Sequence, residues 1–151
     1  MIDNFNKIFN ALESKDVTPV QGIFYDGEIF DAYAFVSDLI KNAKHNIGLI
    51  DNYIDETVLT LLSKNPHAKI TIYTKNVSRQ LKLDADKYNA QYNNLELKKF
   101  DLSHDRFLII DNELYHIGAS LKDLGKKWFA FNKMDQHSLE ILDKLKLLGC
   151  L

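Results

Sequence analysis

The chain holds a single cysteine, Cys150, in 151 residues. That excludes an intrachain disulfide and leaves no partners for a cysteine-type metal site, so the expectation is a fold without staples in a reducing, cytoplasmic setting. Proline occurs twice and glycine six times, too few for a linker-rich or low-complexity chain. The net charge is only −2 at pH 7, which removes the bulk signature of a general polyanion binder. Long apolar runs are lacking as well. Runs such as residues 107–110 are short, and the opening MIDNFNKIFN has no basic-then-apolar pattern, so neither a membrane span nor a secretory signal is expected.

What is present is 46% hydrophobic residues, enough for one domain with a substantial core. Charge is unevenly spread. The first 62 residues hold four lysines against ten acids, and the rest hold fifteen basic residues against eleven acids. A local positive field in the second part suits a phosphate-bearing ligand, although lysines on solvated faces explain the same excess.

Periodicity divides the chain into a lead-in helix or linker over residues 1–20 and a domain over residues 21–151. Phe5, Ile8, Phe9 and Leu12 fall at helical spacing in the lead-in. A turn at Tyr25-Asp26-Gly27-Glu28 precedes a helix that Asp31 is placed to cap, running to about Ala43. Strands are expected at 47–50, 69–74 and 95–100, with helices from Asp55 to Leu62 and from a Ser78 cap to about Tyr92 between them. The alternation predicts an α/β fold whose mixed, largely parallel β-sheet is flanked by helices. A further strand is expected over 127–131, and a helix over 139–148 closes the chain. Asp51-Asn52-Tyr53 stands at the end of the first of these buried strands. Its acid, with Asp55 and Glu56, reads either as helix capping or as a site carboxylate.

The densest chemistry lies in SHDRFLIIDNELYHIGASLKDLGKK, residues 103–127. His104 and Arg106 stand two apart ahead of the apolar run 107–110, which ends at Asp111. In a strand such residues share a face. Asn112 and Glu113 then turn the chain into a second strand over 114–117, which leads to Gly118, Ala119 and Ser120. A histidine nitrogen can attack phosphorus while a cation neutralises the equatorial oxygens. Lys122 offers a second ammonium, or is simply a solvated lysine. Ser120 can donate to phosphate or shape a turn. His116, among apolar residues, reads as a structural histidine, and Tyr115, Trp128, Phe129 and Phe131 read as core before they read as stacking rings.

The order His104, x, Arg106, four residues, Asp111, six residues, Gly118 resembles the HKD signature of the phospholipase D superfamily. Arg106 replaces its lysine, Ala119 its Ser or Gly, and Leu121 its asparagine. FYDGEIFDAY, LIDNYIDETVLTLLSK and TIYTKN are similar to a single-motif branch often found downstream of phage Bro-N or KilA-N DNA-binding domains. The resemblance implies a phospholipase D-like half with His104, Arg106 and Asp111 as catalytic motif residues and Arg106, Gly118, Ser120 and Lys122 at the phosphate. It implies a covalent phosphohistidine without metal or other cofactor, and nucleic acid as a ligand. With one motif per chain it also implies a homodimer whose two His104 side chains meet on a two-fold axis, using the strand 107–110 and the GASLKDLGKK loop. The family carboxylate expected some ten residues past its asparagine is absent, and Asn132 stands near that position.

Overall fold

The computed structural model describes residues 20–134 and 137–149. The expected lead-in helix and Cys150 lie outside them. Seven strands form one sheet: β1 (Gln21–Phe24), β2 (Asn46–Ile50), β3 (Lys69–Thr74), β4 (Leu95–Lys99), β5 (Arg106–Ile110), β6 (Glu113–Ile117) and β7 (Phe129–Lys133), in the spatial order β1-β7-β6-β5-β2-β3-β4. Among the described residues four α-helices accompany them: α1 (Ile29–Asn42), α2 (Glu56–Leu62), α3 (Arg79–Gln91) and α4 (Ser138–Leu147).

The fold is α/β with a mixed sheet, but its parallel share is smaller than the sequence suggested. Only β2–β3 and β3–β4 are parallel, each joined through a crossover helix; the other four pairings are antiparallel. From Arg106 onward the connections are too short for a parallel crossover, so the chain can only fold back beside itself. The sheet also gains an edge strand that local pattern did not disclose, β1, which pairs with β7 through Phe24↔Phe129.

Side-chain alternation separates two cores. Leu49 of β2, Ile72 of β3, Leu108 of β5 and Tyr115 of β6 face α1, α2 and α3. Ile50, Tyr73, Ile109 and Leu114, one residue out of phase, face Leu145 of α4. Because β2 and β5 are covered on both faces, their sequences read as unbroken apolar runs. Each large side chain so buried contributes roughly 1.5–3 kcal/mol of transfer free energy.

The turns explain the helix starts. Gly27 at φ +84 closes the turn in which Glu28 N–H donates to the Tyr25 carbonyl, and α1 begins at once at Ile29. Asp31 therefore lies in the first helical turn and not at the cap, where it still favours the helix dipole. Ser78 caps α3 as expected, accepting from Leu81 N–H, and Asp55 caps α2, accepting from Thr57 N–H. Asn65, in its expected turn, donates to the Ile40 and Ala43 carbonyls and so ties the end of α1 to the entry of β3. No described helix is long and apolar enough to cross a membrane.

Candidate functional site

The carboxyl ends of β2, β3, β4 and β6 and the start of β5 lie at one end of the sheet. Such an end, outside the strand termini, is where open α/β sheets bind ligands. Here the tripeptide Asp51-Asn52-Tyr53 leaves β2, and each of its residues grips a different piece of the motif region.

Asp51 is 1% exposed. Its Oδ2 accepts from Ser120 Oγ at 2.9 Å and from Leu121 N–H at 2.9 Å, and its Oδ1 accepts from Tyr53 N–H at 3.0 Å. Extending the pairing Ile50↔Phe107 by one residue sets Asp51 opposite Arg106 on the same sheet face. Burial pushes the Asp51 carboxyl above its usual value, against the opposing pull of those amides, the Ser120 hydroxyl and the Arg106 charge. Asp55 is thus the helix cap, and Asp51 is a buried carboxylate that anchors the 120–121 loop opposite Arg106. Asn52 Nδ2 donates to the Ser103 carbonyl at 3.1 Å, holding the turn that carries His104. The ring of Tyr53 stands 5.9 Å from the Arg106 guanidinium carbon and 5.7 Å from Lys122 Nζ. Two cations, an exposed histidine and an aromatic ring are thereby collected around one strand end.

No protein-family model matches the chain, and no curated protein matches it either. Solved structures do. The archaeal chromatin protein TrmBL2, described as showing a novel mode of DNA binding, aligns over 97% of this chain and 58% of its own, with 17% identity and a TM-score of 0.60. NucT from Helicobacter pylori aligns over 83% and 92%, with 14% identity and a TM-score of 0.61. Phosphatidylserine synthase from Haemophilus influenzae aligns over 93% and 41%, with 14% identity and a TM-score of 0.57. The chain has a phospholipase D-like fold. It spans a little over half of TrmBL2 and less than half of the synthase.

Within the phospholipase D-like frame the motif residues do not all meet. β5 starts at Arg106, so His104 lies in the exposed turn before the strand and does not share its face with Arg106 as a strand residue. Asn52 and the Ser103–Asp105 turn contact hold it there instead. Asp111 sits at the far end of β5, roughly 16 Å along the strand from Arg106. It adopts φ +55 and accepts backbone N–H bonds from Lys44, His45 and Asn46 at 2.9, 2.7 and 3.0 Å. Its role is to join the entry of β2 to the hairpin. A cleft of about 220 Å³ between α4 and the sheet also opens at that distant end, lined by Lys69, Thr71, Asp111 and Leu142 among others.

Gly118 has a backbone role too. A Cβ there would come within 2.8 Å of the Ala130 carbonyl oxygen, the same atom to which Gly118 N–H donates. Ser120 is 3% exposed, and its hydroxyl is committed to Asp51 and to the Tyr53 carbonyl. It is therefore corrected from a phosphate donor to a brace under the site. Lys122, in the short 3₁₀ turn Leu121–Asp123, does reach the cluster. His116 pairs in register with Phe107 and Asn132 and faces the opposite side of the sheet, with Nε2 3.8 Å from Asp105 Oδ1. Asn132 is thus on the opposite face of the sheet from Arg106 and does not stand in for the family carboxylate. Of the aromatic residues, Tyr115, Phe129 and Phe131 are core, whereas Trp128 is 68% exposed and donates to Asp26.

The Asp111 contacts predict a stability effect. Burial raises the Asp111 carboxyl, but the Lys44, Asn46 and His45 amides outweigh it and hold the group below its usual value. A lowered folded value means that the stabilisation is present above the unfolded value near 3.9 and is lost as pH falls through the folded one. Asp111→Ala should destabilise the protein at pH 7 by about 1–2 kcal/mol, the low side for charge-assisted bonds because water reaches the group. Urea unfolding at pH 7 and at acid pH checks this: the gap between wild type and variant should narrow on acidification, and an unchanged gap counts against it.

Proposed function

We propose that the chain is a metal-independent, nuclease-related phosphodiesterase of phospholipase D type, acting as a homodimer through a variant H-x-R…D motif with weak or specialised activity. The observation that carries this reading is the collection of Arg106, Lys122 and exposed His104 at the strand end of a phospholipase D-like fold. In the first step a neutral His104 nitrogen bonds to phosphorus. The bond to the leaving oxygen breaks, and the protonated His104 of the partner subunit gives that oxygen its proton. Water then attacks phosphorus, the P–N bond breaks, and the partner's histidine takes up the proton from water. Arg106 and Lys122 neutralise the equatorial oxygens throughout.

The likeness in fold to a chromatin protein described as binding DNA supports nucleic acid as the ligand class. The dimer face needs revision. β5 is the fourth of seven strands, and Leu108, Ile109 and Ile110 are buried within the chain, so residues 108–110 cannot supply an interface. The proposed face is the strand end itself, where Ile29, Phe30 and Trp128 expose apolar side chains beside the 118–128 loop.

A second reading has its own observation. Asp51 faces Arg106 with a buried carboxylate and offsets part of its charge, which favours a phosphate- or nucleic-acid-binding module with impaired catalysis. Such a module fits beside a DNA-binding domain in a phage-related regulatory or defence protein. Both readings require the phosphate site. Light scattering at micromolar concentration should give twice the 17.5 kDa chain mass, and NMR titration with inorganic phosphate should shift resonances of the 104–106 and 120–122 segments. A monomer removes the paired-histidine mechanism; phosphate that perturbs neither segment removes the site.

A further inference from the structure

Tyr53 combines a fixed backbone with a free ring. Its N–H donates to Asp51 and its carbonyl accepts from the Ser120 hydroxyl, and both of those partners are buried at 1% and 3% exposure. The residue as a whole is nonetheless 57% exposed. Arg106 and Lys122 stand over the ring at 5.9 and 5.7 Å from its centroid, near the outer limit of a cation–π contact, and the residue keeps its exposure with both of them in place. An exposed aromatic side chain normally belongs to a mobile segment or packs down on its neighbours; this one has a braced backbone and stays more than half exposed with two cations standing off its ring.

We propose that Tyr53 is a stacking platform for the base of an unpaired nucleotide whose phosphate lies between Arg106 and Lys122. The proposal rests on the phosphate-site reading above and names the substrate class of that site. Inorganic phosphate would engage the two cations without any call on a ring, and a choline headgroup, which a ring can hold, would bring a further positive charge to a ring that already has two beside it. A duplex would present the cations with phosphate, but its base faces are already stacked on one another. Only a strand with unpaired bases offers both a phosphate to the cations and a free π-face to the tyrosine. Because every base has such a face, the platform selects unpaired over paired nucleic acid and does not select sequence.

The test measures binding of four probes to the full chain at low ionic strength with EDTA: a short oligothymidylate, an abasic strand of the same length, a blunt duplex, and inorganic phosphate. Tyr53→Leu should weaken the oligothymidylate about 5- to 150-fold, the range for losing one stacked base. Tyr53→Phe should stay within about twofold of wild type, since the ring and not the hydroxyl stacks. Neither variant should alter binding of the abasic strand or of phosphate, which also serves as the control for folding. An equal loss on the abasic strand or on phosphate would mean that the ring only positions the cations, and would overturn the proposal. So would an unchanged oligothymidylate affinity in Tyr53→Leu, or a wild type that binds duplex as tightly as single strand. A wild type that binds neither phosphate nor the abasic strand overturns the phosphate site itself and this proposal with it, an outcome separate from the others.

Discussion

Arg106→Ala should lower the affinity for inorganic phosphate and for oligonucleotide by about 30- to 150-fold, as expected when a charge-assisted contact worth about 2–3 kcal/mol is removed. The guanidinium is the cation that the fold places most firmly. It leaves the first residue of β5, faces the end of β2 and lies beside the Tyr53 ring. Its planar fork can hold two phosphate oxygens at once. Its removal also leaves Asp51 without the opposing charge that acts on it now, so the carboxyl should rise further from its usual value. Arg106→Lys should cost less, about 3- to 10-fold, because the charge remains and only the bidentate geometry is lost. Lys122 lies in a short turn and approaches the ring by its flexible end, so Lys122→Ala should fall between these two. Calorimetric titration of the three variants with phosphate orders them; an Arg106→Ala protein that binds as wild type does would remove arginine from the site.

The sequence discloses those parts of this arrangement that are local. β2, β3 and β5 are short apolar runs with nothing else to become, Ser78 and Asp55 precede their helices at capping distance, and the Asp111 spacing sets the hairpin. The lost parts depend on partners far along the chain. β1 is a strand only because β7 lies beside it, and Trp128 is held by Asp26, 102 residues away. Asp51 and Leu121 are 70 residues apart, and no periodicity within either segment indicates that one carboxylate will anchor the loop of the other. For the same reason Ser120 reads as a phosphate donor until its buried acceptors are seen. A polar tripeptide directly after a buried strand was the available signal for Asp51, Asn52 and Tyr53. It was ambiguous because helix caps occupy the same kind of position, and here the cap proved to be Asp55, two residues beyond.

Any EDTA-resistant turnover should depend wholly on His104, and His104→Ala should lower it by at least about 10³-fold, since loss of a covalent nucleophile is not replaced by the residues around it. The wild type should itself be slow on generic single- and double-stranded DNA and RNA. Arg106 stands where the family has lysine, Leu121 where it has asparagine, and Asn132 near the position of its carboxylate. Losses from residues that act as a unit are not additive, so these departures together lower turnover without predicting how far. Phosphate binding should survive His104→Ala nearly unchanged, because Arg106 is set by the start of β5 and Lys122 by the turn that Ser120 caps, and not by the histidine. That separation of binding from chemistry distinguishes the two functional readings. Robust wild-type hydrolysis in EDTA that His104→Ala abolishes establishes the phosphodiesterase. Binding by both proteins with turnover by neither establishes the module, and Arg106→Lys then measures whether restoring the family's lysine restores any chemistry.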